Sequence, residues 1–308
     1  MNNEKILLTA IIPFVDSSEF LLESESWRLD CEEWQKKIQL ILVHDSRYLK
    51  KLARDDLWDA FKRFDHVEFI EGDFGGPGNS RNQGLTRAIG DWVIFWDSDD
   101  HPLPRALIEV IESVSNQKCD YIVTSYRRFM RDGRTQNQKQ YLPRKNEFDD
   151  TRWHEDGLGI WRIVFRRDRL VNCSFPGLSM GEDVVFFTRF LNSERSVCIS
   201  KDITYSYQVK SKTQLTSNKS IKNRDSLKSF VLADLEFGKC GVRENWIILA
   251  TLYVRLFLSA LRYSRLEQRI QALKTFMLRV LRSSNIKSTF LLKSAIVEVR
   301  NQLIKKDS

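Results

Sequence analysis

Three carboxylates stand within four positions in the segment Asp97-Ser98-Asp99-Asp100. They directly follow the short apolar run 93–96, whose β-branched and aromatic residues predict a buried strand. Carboxylates crowded this closely repel one another unless a cation neutralises them. Hard oxygen ligands at a strand end suit Mg²⁺ or Mn²⁺, so the pattern predicts a divalent metal site. A solvated acidic turn is the alternative interpretation.

The chain around this cluster alternates between strand and helix patterns. Strands are predicted at 6–12, 38–43 and 67–70, and helices at 20–37, 49–64 and 79–89. This alternation predicts an α/β fold with a mostly parallel sheet flanked by helices. Ligands bind such sheets at the carboxyl ends of the strands, which is where Pro13, Asp45 and Asp97 stand. We therefore expect the acidic cluster to face a ligand site.

The later elements predict a second, helical region. A helix is expected at 105–116, strands at 121–125, 160–165 and 203–209, and a helix at 184–191, with helices from 225 onward. The polar stretch 127–150 is interpreted as a hairpin or a variable excursion. We expect a catalytic domain over residues 1–217 and a basic C-terminal helical region over 218–308.

The composition indicates a globular protein of 308 residues, of which 42% are hydrophobic and 29% are charged. The five cysteines are odd in number and widely spaced, so neither a zinc site nor a disulfide framework is expected. A reducing compartment fits this usage best. Residues 1–5 lack the basic-then-apolar order of a signal peptide, so a cytoplasmic protein is expected.

The charge is unevenly distributed. Residues 210–308 hold 20 Lys and Arg against 7 Asp and Glu, a net charge of +13, whereas the rest of the chain carries −5. This asymmetry indicates an anionic partner for the C-terminal region, either a membrane surface or a polyanion.

The C-terminal helices allow two interpretations. The apolar run 246–261 is shorter than the ~20 residues that span a bilayer, and Arg255 lies near its middle, so a buried core helix is expected. A second apolar face consists of Leu266, Ile270, Leu273, Met277 and Val280. This face either packs against other helices or lies peripherally on the inner face of an anionic membrane.

Several segments, in this order, resemble the motifs of family 2 glycosyltransferases, which have the GT-A fold. The resemblance covers roughly residues 7–217 and rests on segments 9–16, 43–46, 78–84, 90–100, 181–186 and 205–207. Gly78-Asn79-Ser80-Arg81-Asn82-Gln83-Gly84 matches an Arg-Asn-x-Gly helix start, and Gly181-Glu182-Asp183 resembles a catalytic acidic motif. Asp16 stands where Asn is usual, and His44 replaces a more usual Asp.

The resemblance implies a metal-dependent, inverting glycosyltransferase. It would move a sugar from a nucleotide-diphosphate donor, foremost a UDP-sugar, to a saccharide or lipid-linked saccharide acceptor. Surface polysaccharide biosynthesis, such as that of capsule or lipopolysaccharide, is the expected setting. The alternatives are a nucleotidyltransferase of related fold, and a nonenzymatic polyanion-binding protein that uses the basic tail, although no nucleic-acid motif is recognised.

The resemblance also implies roles for the strand-end residues. The backbone of Pro13 and Phe14 would hold the donor, and Asp45 would accept a hydrogen bond from a uracil-type N–H. Asp45 as a turn cap is the alternative. Arg81 would face the nucleotide unless it is a surface charge. Asp97, with Ser98 beside it, would contact the ribose or water around the Mn²⁺ or Mg²⁺, and the direct metal ligand would be Asp99.

The remaining implied roles concern the acceptor. Asp183 would be the general base, with Glu182 as the second choice. The alternative is that both acids simply begin a helix, where they favour its dipole. Expected acceptor contacts are Trp153, His154 and Trp161. The alternatives are a core role for Trp161 and a surface position for His154. A lid over the pyrophosphate would use Lys210 or Lys212.

Overall fold

The computed structural model describes residues 5–28, 34–48, 54–130, 135–138, 158–209, 219–242 and 245–283, with Thr289, Leu291, Leu292 and Ala295. These residues divide into two compact units. The first comprises Met1–Leu142, Gly159–Asn172 and Arg195–Gln214, and the second comprises Pro143–Leu158, Cys173–Glu194 and Leu215–Ser308. The predicted domain boundary after residue 217 stays a prediction.

Four parallel strands form one half of the sheet in the first unit. They are β1 (Leu8–Phe14), β2 (Ile38–Asp45), β3 (His66–Gly72) and β4 (Trp92–Phe95), in the order β3-β2-β1-β4. Every residue of β2 and β4 is buried, as expected for parallel strands covered on both faces. The predicted α/β fold with a parallel sheet is confirmed.

Helices lie on both faces of these strands. They are α1 (Ser17–Arg28), α2 (Arg54–Phe61), α3 (Pro77–Leu85) and α4 (Pro104–Ser113). The core around Ala10 and Ile12 of β1 takes Phe20 from α1, Phe61 from α2 and Leu107 from α4. Helix α3 packs on the opposite face, where the Ile11 side chain points. Gly84 of α3 lies so close to Ile11 that a Cβ at this position would collide with its side chain. Only glycine permits so close an approach of α3 to β1.

The other half of the sheet is mixed. It contains β5 (His101–Pro102), β6 (Tyr121–Met130), β7 (Thr135–Gln138), β8 (Ile163–Arg166) and β9 (Val197–Val209), and the order continues β4-β8-β6-β9-β5. β8 runs antiparallel to β4 and β6, whereas β6 and β9 are parallel. β7 pairs antiparallel with β6, so the hairpin expected after 127 is present in its described part.

Two expectations need correction. The helix predicted over 20–37 is too long, because α1 ends at Arg28 and Trp34–Lys37 forms a separate 3₁₀ turn. The absence of a disulfide was also wrongly expected, since Cys119 and Cys198 are joined. Their separation of 79 residues gave no sign of this. The parallel pairing of β6 with β9 brings Cys198 opposite Ile122 and thus close to Cys119.

The regular secondary structure described in the second unit is helical. It contains α5 (Glu182–Phe190), α6 (Lys219–Lys239), α7 (Trp246–Tyr263) and α8 (Leu266–Arg282). In α7, the ring of Tyr253 stacks on Phe237, and that of Phe257 stacks on Phe276 of α8. The expected buried core helix over 246–261 is therefore confirmed. Among the described residues, no helix combines the length and apolarity that crossing a bilayer requires.

Candidate functional site

The acidic turn leaves the sheet at the carboxyl end of β4. Trp96 is buried and donates its backbone N–H to the Ile11 carbonyl at 3.1 Å, so the pairing with β1 continues up to the turn. Asp97, Ser98 and Asp99 are then half-buried, whereas Asp100 is 2% exposed. The expected strand-end cluster is thus present, but its three carboxylates have different surroundings.

Asp97 is held by an arginine on α3. Arg81 Nη2 lies 2.7 Å from Asp97 Oδ1, and the side chains are 5% and 30% exposed, respectively. Arg81 is therefore not a surface charge, which was the alternative for it. A buried cation would be costly without its carboxylate, so the pair fixes the orientation of Asp97.

Asp100 is held from the opposite side by β9. Its Oδ2 accepts a hydrogen bond from the Tyr205 hydroxyl at 2.9 Å, and its Oδ1 accepts one from the Gln208 backbone N–H at 2.8 Å. The same hydroxyl accepts the Asp97 backbone N–H at 3.2 Å. Tyr205 thus joins both ends of the acidic turn. Burial, followed by the charges of Asp99 and Asp97, raises the pKa of Asp100 well above its ordinary value.

The sequence did not identify Tyr205 as a site residue, although its segment 205–207 resembled a family motif. Its hydroxyl is 100 residues or more away from the groups it binds, so local spacing gives no sign of these contacts. The available signal was the alternation of Tyr205 and Tyr207 in a predicted strand, which places both rings on one face.

Asp45 organises a glycine loop at the end of β2. Its carboxylate accepts backbone N–H groups from Arg47 at 3.3 Å, from Phe74 at 3.2 Å and from Gly76 at 2.7 Å. Gly75 and Gly76 have φ values of 80° and 132°, which favour glycine. This arrangement agrees with the turn-capping alternative for Asp45. The carboxylate oxygens of Asp45 can accept further hydrogen bonds. A contact between them and the nucleotide sugar stays a prediction.

The two departures from the family pattern have structural roles. Asp16 Oδ1 accepts the backbone N–H groups of Ser18 and Glu19, at 3.0 and 3.2 Å, and so caps the start of α1. His44 is buried, and its Nε2 donates to the Val15 carbonyl at 3.3 Å. The Phe14 ring stacks on Phe20 in the core, so a donor contact at this strand end would come from the backbone.

The acidic turn fits a divalent cation that also binds substrate phosphates. Asp100 is buried and bonded to β9, whereas the side chains of Asp97 and Asp99 are half-buried. No cluster of three His, Cys, Asp or Glu side chains suited to a metal occurs among the described residues. Mg²⁺ and Mn²⁺ commonly take only one or two protein carboxylates, with phosphate and water oxygens completing the shell. The negative field of the turn contributes to raising the pKa of Tyr207 to about 12, after burial.

Glu182 and Asp183 begin α5 in the second unit. Gly181 precedes them with φ 76°, and a Cβ there would approach Ser229 of α6 to 2.8 Å. Glu182 is buried, whereas Asp183 is half-buried, with its Oδ1 2.8 Å from the Val184 backbone N–H. The helix-start alternative is therefore present in the structure. The base role of Asp183 stays a prediction.

The expected acceptor contacts are described only in part. Trp161 is 8% exposed, and its ring stacks on Tyr205 and Tyr207 with centroids 4.4 and 5.3 Å apart. This packing favours the core alternative for Trp161, while a contact with the acceptor stays a prediction. The other expected residues lie outside the described part of the chain: Trp153, His154, Lys210 and Lys212.

Comparison with known proteins gives a family match. The profile described as Glycosyl transferase family 2 matches residues 10–170, which is more than half of the chain. TuaG of Bacillus subtilis (strain 168), named as a candidate teichuronic acid biosynthesis glycosyltransferase, is 23% identical over 194 residues. That alignment covers 62% of this chain and 74% of TuaG.

Solved structures of S. aureus TarS share the fold. The crystal structure of TarS 1-349 in complex with UDP-GlcNAc matches with a TM-score of 0.68 and 16% identity, covering 96% of this chain and 89% of that one. A further crystal structure of TarS 1-349 matches with a TM-score of 0.65 and 16% identity, covering 96% of this chain and 91% of that one. The mixed sheet with flanking helices is thus the GT-A-like fold of TarS, with helices at the C-terminus.

Proposed function

The chain belongs to glycosyl transferase family 2, and from this premise we propose that it transfers a sugar from a UDP-sugar to a saccharide or lipid-linked saccharide acceptor. The process served would be the synthesis of a cell-surface polysaccharide. The named role of TuaG in teichuronic acid biosynthesis and the UDP-GlcNAc in a TarS structure support the setting and the donor class. The transfer inverts the anomeric configuration.

The observation that carries the proposal is the acidic turn at the end of β4, held in place from two sides. Arg81 fixes Asp97, and Tyr205 fixes Asp100. Asp99 lies between these two fixed acids. An acidic turn preorganised in this way, at the carboxyl end of a parallel strand, suits a cation that binds the pyrophosphate of a nucleotide sugar. Asp45, at the end of β2 two strands away in the same sheet, holds the loop after β3, where the base and ribose would bind.

Asp97 and Asp99 would hold the divalent cation. The chemistry that a bound Mn²⁺ or Mg²⁺ supplies is neutralisation of the negative charge on the departing nucleoside diphosphate. Asp97 also keeps its ion pair with Arg81, so the guanidinium limits its net charge and its freedom to rotate. We assign Asp99, the second acid of the Asp-x-Asp segment, as the principal ligand.

The proton chemistry is assigned to Asp183. As the acceptor hydroxyl oxygen forms a bond to the anomeric carbon, its proton passes to the Asp183 carboxylate, and the bond from that carbon to the diphosphate oxygen breaks. The bonding electrons leave with the nucleoside diphosphate. A single displacement of this kind inverts the anomeric carbon and needs no enzyme nucleophile.

The donor class and the metal assignment are tested together by measuring nucleoside diphosphate release. The purified protein is incubated with a panel of UDP-, GDP- and dTDP-sugars, with and without Mn²⁺ or Mg²⁺. We expect metal-dependent release from a UDP-sugar, reduced at least about a hundredfold in Asp99→Asn because the leaving group loses its neutralising ion. Asp59→Asn, an exposed carboxylate on α2, is the matched control.

Two results would contradict the assignments. Release at the wild-type rate by Asp99→Asn would show that Asp99, and with it the acidic turn, does not bind the metal. Release only from a GDP- or dTDP-sugar would overturn the UDP donor while leaving the transferase class intact.

A further inference from the structure

Helix α8 carries an exposed apolar stripe on the side that faces away from its own core. The stripe consists of Leu266, Ile270, Leu273, Met277 and Leu281, and these side chains are between 45% and 73% exposed. At about 100° per residue, all five fall within an arc of roughly 80°. A continuous row of large exposed apolar side chains indicates an interaction surface.

The opposite side of α8 already holds the helix in the unit. Ala272 and Phe276 are buried, and the Phe276 ring stacks on Phe257 of α7 with centroids 4.2 Å apart. Arg279 Nε lies 2.8 Å from Asp234 Oδ1 of α6. The helix therefore does not need the stripe for its packing on α6 and α7.

The charges beside the stripe are mainly basic. On the helical wheel, Arg269 borders it on one side and Lys274 on the other, and both side chains are exposed. Arg265 and Arg282 are exposed near the two ends of the helix. The sole acid within α8, Glu267, is exposed just beyond Lys274 on the wheel, and residues 210–308 carry a net charge of +13. A partner that complements this surface therefore presents an apolar region next to negatively charged groups.

We propose that the α8 stripe docks on the surface of an anionic lipid bilayer. A helix with an apolar stripe bordered by Lys and Arg lies in the interfacial plane, with its apolar side chains among the acyl chains and its cations at anionic headgroups. A second copy of the chain suits the stripe less well. In a parallel pair, Arg269 and Lys274 would flank the seam and face the same cations of the partner helix.

The test is flotation of the full chain with lipid vesicles. Vesicles of phosphatidylcholine alone are compared with vesicles in which about a third of the lipid is phosphatidylglycerol. We expect binding only to the anionic vesicles, and weaker binding at high salt. Leu273→Ser with Met277→Ser should reduce the partition coefficient by at least about tenfold, because two apolar side chains no longer enter the acyl layer. Lys274→Glu should reduce it by roughly fivefold or more.

Matched controls distinguish the stripe from general surface effects. Leu22→Ser replaces a leucine that is 69% exposed on α1, and Lys118→Glu makes the same charge change at an exposed position of the first unit. Neither should alter vesicle binding. The stripe side chains are exposed, so the thermal unfolding midpoint of the double variant should remain close to that of the wild type.

Several results would overturn the proposal. Equal binding of the double variant and the wild type would show that the stripe does not contact the bilayer. Equal binding to both vesicle types would show that the basic residues beside the stripe do not contribute to binding. If light scattering showed a dimer that Leu273→Ser with Met277→Ser converts to monomer, without vesicle binding, a second copy would be the occupant. A large drop in the unfolding midpoint without vesicle binding would indicate that the chain covers the stripe itself.

Discussion

The polar side chains at the carboxyl edge of the sheet bind protein groups before any ligand arrives. The Asp45 carboxylate accepts backbone N–H groups from the loop after β3, and the Asp97 carboxylate pairs with Arg81. Such contacts fix the rotamers of the acids and lower the entropy that a ligand would otherwise have to remove. A binding role and a structural role for the same carboxylate are thus compatible.

Arg81→Ala should destabilise the first unit. The substitution leaves the partly buried Asp97 without its cation, beside two further carboxylates, and we expect a loss of about 2 kcal/mol in the free energy of unfolding. Urea denaturation checks this value. Arg87→Ala is the matched control, because Arg87 is 64% exposed and lies 3.6 Å from Glu68 near the end of α3. That exposed pair should contribute no more than about 0.5 kcal/mol. Equal effects of the two substitutions would contradict a special role for Arg81.

Strand β9 supports the acidic turn across the sheet edge. Tyr205 contributes one hydroxyl that both donates to Asp100 and accepts from the Asp97 backbone, and Gln208 contributes a backbone N–H. The turn is thereby fixed by an element that lies 100 residues further along the chain. A substitution in β9 that breaks these bonds should therefore weaken binding of the sugar donor.

Tyr205→Phe should raise the KM for the donor and for the metal more than it lowers kcat. Without the hydroxyl, Asp100 loses one donor and the Asp97 N–H loses its acceptor, so the turn is less well ordered. We expect kcat/KM for the donor to fall about tenfold, a change that steady-state diphosphate release measures. Tyr207→Phe, which leaves these bonds intact, is the control. A loss confined to thermal stability, with both KM values unchanged, would make the role of Tyr205 purely structural.

The order of strands and helices could be predicted from the sequence because it depends on local periodicity. The runs that became β2 and β4 are apolar and end in polar residues, and the run that became β1 ends at Pro13, so both their burial and their ends were visible. Contacts between distant segments were not. The bonds of Tyr205 and the link between Cys119 and Cys198 depend on β9 pairing with β5 and β6, which no local pattern specifies. Gly84 was recognised as part of a motif, but its steric reason required the position of Ile11.

The chain combines the mixed sheet of a family 2 glycosyltransferase with a strongly basic C-terminal third. Family membership makes the chain a glycosyltransferase, so the nonenzymatic polyanion-binding alternative is set aside. The net charge of +13 over residues 210–308 still requires an explanation, and the proposed lipid surface supplies one. Membrane docking would also suit a lipid-linked acceptor, since enzyme and acceptor would then share one surface.

The division of roles between the two units predicts a specific phenotype for Asp183→Asn. The carboxylates assigned to the donor lie in the first unit, whereas Asp183 lies in the second at the start of α5. The substitution removes the proposed proton acceptor and leaves the acidic turn intact. We expect donor affinity, measured by calorimetry, to change less than about threefold, while transfer falls by at least about a thousandfold.

Glu182→Gln is the matched variant, because it alters the neighbouring acid, which is buried and was the second choice for the base. Loss of transfer in Glu182→Gln alone, with full activity in Asp183→Asn, would reverse the assignment. Retained transfer in both would place the proton acceptor elsewhere, and only the proposed metal-binding role of the first unit would then stand.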